Sequence, residues 1–226
     1  MKKLFLGLGL VAGTFAFAQT TPQFGLKAGI NVASISKDGY DDAKSKVGFA
    51  GGAFVNIPVS EQFSIQPEVM YSQMGSKVTN KYSTTFLGNT YEARSTAKLN
   101  LDYITVPIMF QFRATPAFYI EAGPEFGFLT SAKAKDINTT YVNGSPDDSS
   151  TNTSEDLKDY YSGFNMGAAL GLGYDITPNF GINARYVAGF TDINKKDRNT
   201  DGNTSLQNDG DKNRNNTFQA GVYFKF

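Results

Sequence analysis

The stretch Phe24-Gly25-Leu26-Lys27-Ala28-Gly29-Ile30-Asn31-Val32 decides the fold. Its apolar residues take every second position, and Lys27 and Asn31 fall between them. An extended chain points successive side chains to opposite sides, so this alternation marks a strand with one apolar and one polar face. The pattern returns at the other end of the chain, where Phe218, Ala220, Val222, Phe224 and Phe226 alternate with residues that include Gln219 and Lys225. Between these ends the alternation gives eight runs in all, at roughly 24–34, 47–57, 63–74, 99–112, 118–130, 162–176, 180–191 and 216–226. All are rich in Gly, aromatic and β-branched residues, and none carries a strong helical period.

When the register of each run is chosen from its apolar residues alone, the charges fall on the other face. Lys27, Glu68, Glu121, Glu125, Asp175, Arg185 and Lys225 all do so, beside Gln66, Gln111, Asn165, Asn183 and Gln219. Asp102 is the exception, sharing the parity of Ile104, Val106, Ile108 and Phe110, which places it at a strand's outer end or on a bulge. A soluble sandwich also alternates, so connection lengths discriminate. Short turns at 58–62, 113–117 and 177–179, each with a proline, alternate with long segments at 35–46, 75–98, 131–161 and 192–215. That alternation is the habit of an outer-membrane barrel, with tight periplasmic turns and long outer loops. Aromatic residues gather at the short-turn ends of the runs: Phe24, Phe63, Phe112, Phe118, Tyr174, Phe180 and Phe226, an interfacial girdle. The predicted fold is all-β: an eight-stranded antiparallel up-and-down transmembrane β-barrel with both mature ends periplasmic.

Composition narrows function. The 226 residues carry 21 basic and 21 acidic side chains and no Cys, His or Trp. Disulfides, thiolate chemistry and every His-dependent catalytic or metal arrangement are therefore excluded. Balanced charge argues against a nucleic-acid partner, and a mean hydropathy of -0.31 argues against a helical bundle in the membrane. Lys2 and Lys3 precede an apolar run from Leu4 to Phe17 that closes on Ala16-Phe17-Ala18. This reads as a signal peptide, residues 1–18, cleaved before Gln19; a single anchoring helix needs a longer run. Residues 19–226 then form the barrel domain.

Several motifs in order resemble the PorT-like outer-membrane β-barrel domain family, the porin-family proteins of Bacteroidetes-type bacteria. They are Phe24 to Gly29, Gln66-Pro67-Glu68 followed by Tyr71-Ser72 and Gly75, Tyr103-Ile104 leading to Val106-Pro107, and Gly123-Pro124-Glu125. The resemblance spans 19–226 and implies fold and compartment. It brings no shared catalytic residues.

Eight strands leave an interior that side chains can fill. The seven inward charges, nearly balanced in sign, form a candidate network that plugs the lumen, with a narrow charge-selective pore as the alternative. Inward Gly167, Ala169, Gly171 and Gly173 leave room for long side chains opposite. Pro67 and Pro124, on the outward face, are expected to mark bulges or bends. Asp197, Asn199 and Asp201, with Gly202, resemble the opening of a calcium loop, but Asn208 stands where a bidentate Glu belongs, so a solvated polar loop is the plainer reading. Residues 143–156 read as a surface loop. Glu121 and Glu125 lie too far apart along one strand to act as an acid-base pair. No enzyme and no cofactor is implied. The expected function is a non-enzymatic surface or structural protein whose loops meet an extracellular ligand or surface protein. A small porin or solute channel is the alternative, and an accessory barrel in a secretion or assembly complex is a third. Partners are the outer-membrane bilayer and, during insertion, the barrel-assembly machinery, which would read the last strand.

Overall fold

A sheet with one apolar and one polar face leaves unpaired edges unless it closes on itself. The computed structural model, which describes residues 21–36, 44–146, 151–193 and 213–226, closes. Its strands are β1 (Gln23–Ser36), β2 (Lys44–Pro58), β3 (Phe63–Phe86), β4 (Asn89–Arg113), β5 (Phe118–Val142), β6 (Ser145–Pro146), β7 (Thr151–Asp156), β8 (Phe164–Asp175), β9 (Phe180–Gly189) and β10 (Arg214–Lys225). A short 3-10 turn, Lys158–Tyr160, precedes β8. β1 pairs with β10 from Gly25 opposite Lys225 to Ser36 opposite Arg214. The ring runs β1-β2-β3-β4-β5-β8-β9-β10, antiparallel at every step, and β6 and β7 add to β5 outside it. The signal segment 1–18, its cleavage point before Gln19, and Asp197, Asn199 and Asp201 lie outside the described residues.

Directly opposed residues trace a line around the ring: Ile57, Ile65, Phe110, Ala122, Leu170, Tyr186, Phe218, Val32, and back to β2 at Val47. The line returns displaced from Ile57 to Val47, a stagger of ten residues. At about 3.3 Å per residue against eight strand spacings of about 4.8 Å, this stagger tilts the strands by about 40° and sets a backbone radius near ~8 Å. All these residues point outward, whereas Lys27, Glu68, Glu121 and Arg185 are buried within.

Two segments read as loops are largely strand. β3 and β4 continue as one hairpin to a two-residue turn at Leu87 and Gly88, whose φ values of 47° and 77° match the mirror-image turns that suit twisted strands. β5 runs on to Val142, then turns at Asn143 and Gly144 with φ 52° and 83°. A four-stranded sheet of β3, β4, β5 and β7 thus projects from the long-loop end of the ring.

Pro67 and Pro124 mark no bulges. The ladders skip pairs beside Pro67, Pro107 and Pro124, where donors are missing, but the register is the same on either side of each gap. One shift falls instead between Asp102 and Tyr103, opposite Thr130, whose Oγ1 donates to the Asp102 carbonyl at 2.8 Å, and another between Ser45 and Ala50 where β2 pairs with β3. Asp102 therefore stays on the outward face at a bulge, half-buried above the apolar residues of its strand.

Candidate functional site

The site is the lumen, where inward side chains of β1, β3, β5 and β9 meet across the ring. Arg185 of β9, 1% exposed, reaches across to two carboxylates. Its Nη1 and Nη2 donate to Oε2 and Oε1 of Glu68 at 3.0 and 2.8 Å. Its Nε and Nη2 donate to Oε1 of Glu121 at 2.9 and 2.7 Å. Lys27 Nζ and Gln66 Nε2 also donate to Glu68 Oε1, at 2.7 and 2.8 Å, and Gln111 Nε2 donates to Glu121 Oε2 at 2.9 Å. Asn56 Nδ2 extends the set to Gln111, Gln66 and Ser64. Two cations thus meet two anions, and both carboxylates are multiply bonded, which makes a buried charge cluster tolerable. Gly171, opposite Arg185 on β8, leaves room for this crossing: a Cβ there would lie 3.1 Å from Glu121 Oε1 and 3.2 Å from Arg185 Cβ.

The seven sequence-derived charges do not form one set. Asp175 and Lys225 lie at the short-turn mouth, joined at 2.7 Å, with Arg113 also 2.7 Å from Asp175 and Tyr223 donating to it at 2.6 Å. Arg113 is absent from the sequence-derived set because it sits at the boundary between a run and a turn. Glu125 is buried in the lumen but joins neither cluster. Its Oε2 has no hydrogen-bond partner, and no described residue forms an ion pair with it.

Between the two clusters lies an aromatic layer of Phe54, Tyr119 and Tyr223, with ring centroids 6.3 and 6.2 Å apart. Inward glycines make its space: a Cβ on Gly173 would stand 2.2 Å from the Tyr119 ring. The gap left among Phe54, Gln111, Arg113, Tyr119 and Tyr223 is about 10 Å³, at the lower limit for one water. Below it an open vestibule of about 540 Å³, lined by Ser64, Arg113, Asp175 and Lys225 among others, faces the short turns. At the opposite end Met74, Leu101, Tyr103 and Leu129 form an apolar cap completed by Ile193, which follows β9. Ser162 N donates to the Ile193 carbonyl at 2.7 Å and Ile193 N to the Asn213 carbonyl at 2.9 Å, pinning that segment over the lumen. Tyr161 packs against this cap, and burial pushes its phenol above the ordinary value.

The aromatic residues named at the short-turn end lie on the outer surface. Phe24, Phe63, Tyr174, Phe180 and Phe226 are exposed, Phe112 and Phe118 half-buried, and the Phe63 and Phe112 rings are 5.1 Å apart. A second outward set at the other end, Phe49, Phe128, Phe164, Phe190 and Phe218, was not singled out from the sequence, although the same parity would have shown it. Phe128 and Phe164 lie 5.7 Å apart. Among the described residues no group of acidic side chains is arranged to hold a metal ion.

A family model described as an outer membrane protein beta-barrel domain matches residues 17–195. No curated protein sequence matches the chain. Among solved structures, the chain is similar to Ail, the attachment invasion locus protein of Yersinia pestis, at 16% identity over 92% of this chain and 100% of that one, TM-score 0.42. It is also similar to Neisserial surface protein A, at 15% identity over 92% and 100%, TM-score 0.41. A third likeness is to the outer membrane protease OmpT from Escherichia coli, at 11% identity over 94% and 99%, TM-score 0.32.

Proposed function

This chain belongs to the outer membrane protein beta-barrel domain family and resides in the outer membrane, and from that premise we propose that it is a non-enzymatic, non-conducting surface protein. The observation that carries this reading is the closed lumen. The Arg185 cluster, the aromatic layer and the Ile193 cap lie one above another across the lumen formed by the described residues. Function then moves to the projecting sheet of β3, β4, β5 and β7, which offers exposed Tyr82, Phe86, Leu87 and Tyr91 to an extracellular ligand or surface protein. In this reading the short turns are periplasmic, residues 1–18 are the export signal, and the last strand is what the assembly machinery engages. The finer PorT-like relationship, and with it a place in a secretion or assembly complex, would be supported by a stoichiometric partner on purification.

The test is single-channel recording of the refolded protein in a planar bilayer. A silent wild type is the expected result. Discrete ion-selective steps would make the protein a small channel instead, with the vestibule above the short turns as its entry.

A further inference from the structure

Strand register aligns lysines that are distant in sequence. Lys77 of β3 is directly opposite Lys98 of β4, and Lys98 is directly opposite Lys135 of β5. The backbone of Lys44 is opposite Lys77, so four adjacent strands carry a lysine in one row. Directly opposed like charges destabilise a sheet unless something of opposite sign faces them. None of Lys77, Lys98 and Lys135 forms an ion pair with a described residue.

The row lies on the outward face, continuous with the lipid-facing side of the barrel. Lys77 shares the parity of Val69 and Tyr71, Lys98 that of Ile104 and Val106, while Leu99 beside it packs on the lumen cap. The bulge at Asp102 and Thr130 switches parity in β5 and turns Lys133 and Lys135 outward, with buried Ala132 inward. Lys81 and Arg94, opposite each other, add to this same face, where Glu92 pairs with Arg94. The other face of the same sheet carries Asp136 and Glu155 and no lysine in the rows from Ser76 to Asn80. The acidic residues on the basic face are Glu92, Asp102 and Asp156, the last opposite Lys133.

Height above the bilayer selects the occupant. Lys77 and Lys98 stand six residues beyond Tyr71 and Ile104, the last apolar outward residues of their strands. At about 3.3 Å per residue and the tilt derived above, that is about 15 Å beyond the apolar band. Phospholipid headgroups end within about 5–8 Å of it. The rows between hold Gln73, Asn100 and Ser131, neutral groups suited to sugar hydroxyls, together with Asp102 and with Lys133, which lies opposite Asp156. We infer that the Lys77–Lys98–Lys135 row is a docking surface for phosphates carried on the sugar headgroups of outer-leaflet glycolipids. The inference rests on placement in the outer membrane and is independent of whether the lumen conducts.

The test uses the full protein in neutral detergent with purified lipopolysaccharide, phosphatase-treated lipopolysaccharide, inorganic phosphate and heparin as probes. Lipid retained per barrel is read by native mass spectrometry. Wild type retains the phosphorylated lipid, and the K77Q/K98Q/K135Q variant, shown folded by unchanged heat-modified gel mobility, weakens retention on the order of a hundredfold. Lys158→Gln, away from the row, leaves it unchanged. Equal retention by the triple variant, or equal retention of the phosphatase-treated lipid, would overturn the inference. So would displacement by inorganic phosphate at matched phosphate concentration. Loss of heparin binding with lipid retention intact would assign the row to a soluble sulfated polysaccharide instead.

Discussion

Arg185 stands in the lumen with no bulk water to replace its partners. Removing it leaves Glu68 with Lys27 and Gln66, but leaves Glu121 with Gln111 alone. Breaking a buried, hydrogen-bonded charge cluster costs about 3–5 kcal/mol. Arg185→Ala is therefore expected to lower the unfolding free energy from urea titration in detergent by that much, seen as a lower midpoint at unchanged slope, and Arg185→Ala/Glu121→Ala to recover part of the loss, since the two share one interaction. An unchanged midpoint in the single variant would show that the cluster holds nothing together. At this scale the sequence revealed which side chains point inward, because parity is local. It could not reveal which of them meet. Lys27, Glu68, Glu121 and Arg185 come together only through the stagger of the closed ring, which also separates Asp175 and Lys225 from them and leaves Glu125 in neither cluster.

The projecting hairpin of β3 and β4 is held by its own ladder and its neighbour β5, beyond the ring. Replacing residues 78–97 by Asn-Gly, a dipeptide that closes a two-residue turn, joins Lys77 to Lys98 where they are already opposite. The shortened chain is expected to refold with the native heat-modified gel mobility, and failure to do so would mean that the ring depends on the projection. The same segment explains where the sequence reading stopped. Alternation is visible only where the two faces of a strand meet different surroundings, as they do where Val69 and Tyr71 face lipid and Met70 and Ser72 face the lumen. From Lys77 to Phe86 most side chains are exposed on either face, so Thr, Ser, Asn and Tyr follow without a period. One local signal does mark the end of β5: Asn143-Gly144, a dipeptide suited to hairpin turns, lies where the chain leaves that strand. The prolines misled in the other direction. A missing donor opens a gap in the ladder, but neither Pro67 nor Pro124 requires an extra residue, and the register carries through.

The whole molecule is a sheet turned inside out. Its exposed surface includes Leu26, Ile30, Phe110, Leu170 and Phe224, and its buried interior includes Lys27, Glu68, Glu121 and Arg185. This arrangement is stable only if lipid covers the outside and the inward polar groups satisfy one another. Eight strands with a stagger of ten residues enclose a space that these side chains nearly fill, and the proposed function follows from that filling. The lysine row belongs to the same geometry, since the face that meets lipid lower down continues upward as the face that carries the row.

Which side chains face lipid and which fill the lumen is the claim on which all else depends. Because the chain contains no cysteine, a single introduced thiol is unique. Leu170 is 67% exposed on the outer face, and its neighbour Ala169 is 4% exposed within. A fluorophore on Leu170→Cys in liposomes is expected to be quenched by a quencher dissolved in the lipid phase. The Ala169→Cys thiol is expected to resist water-soluble maleimide until the barrel is unfolded. Rapid labelling of Ala169→Cys in the folded protein, or a Leu170→Cys fluorophore quenched only from the aqueous phase, would contradict the account.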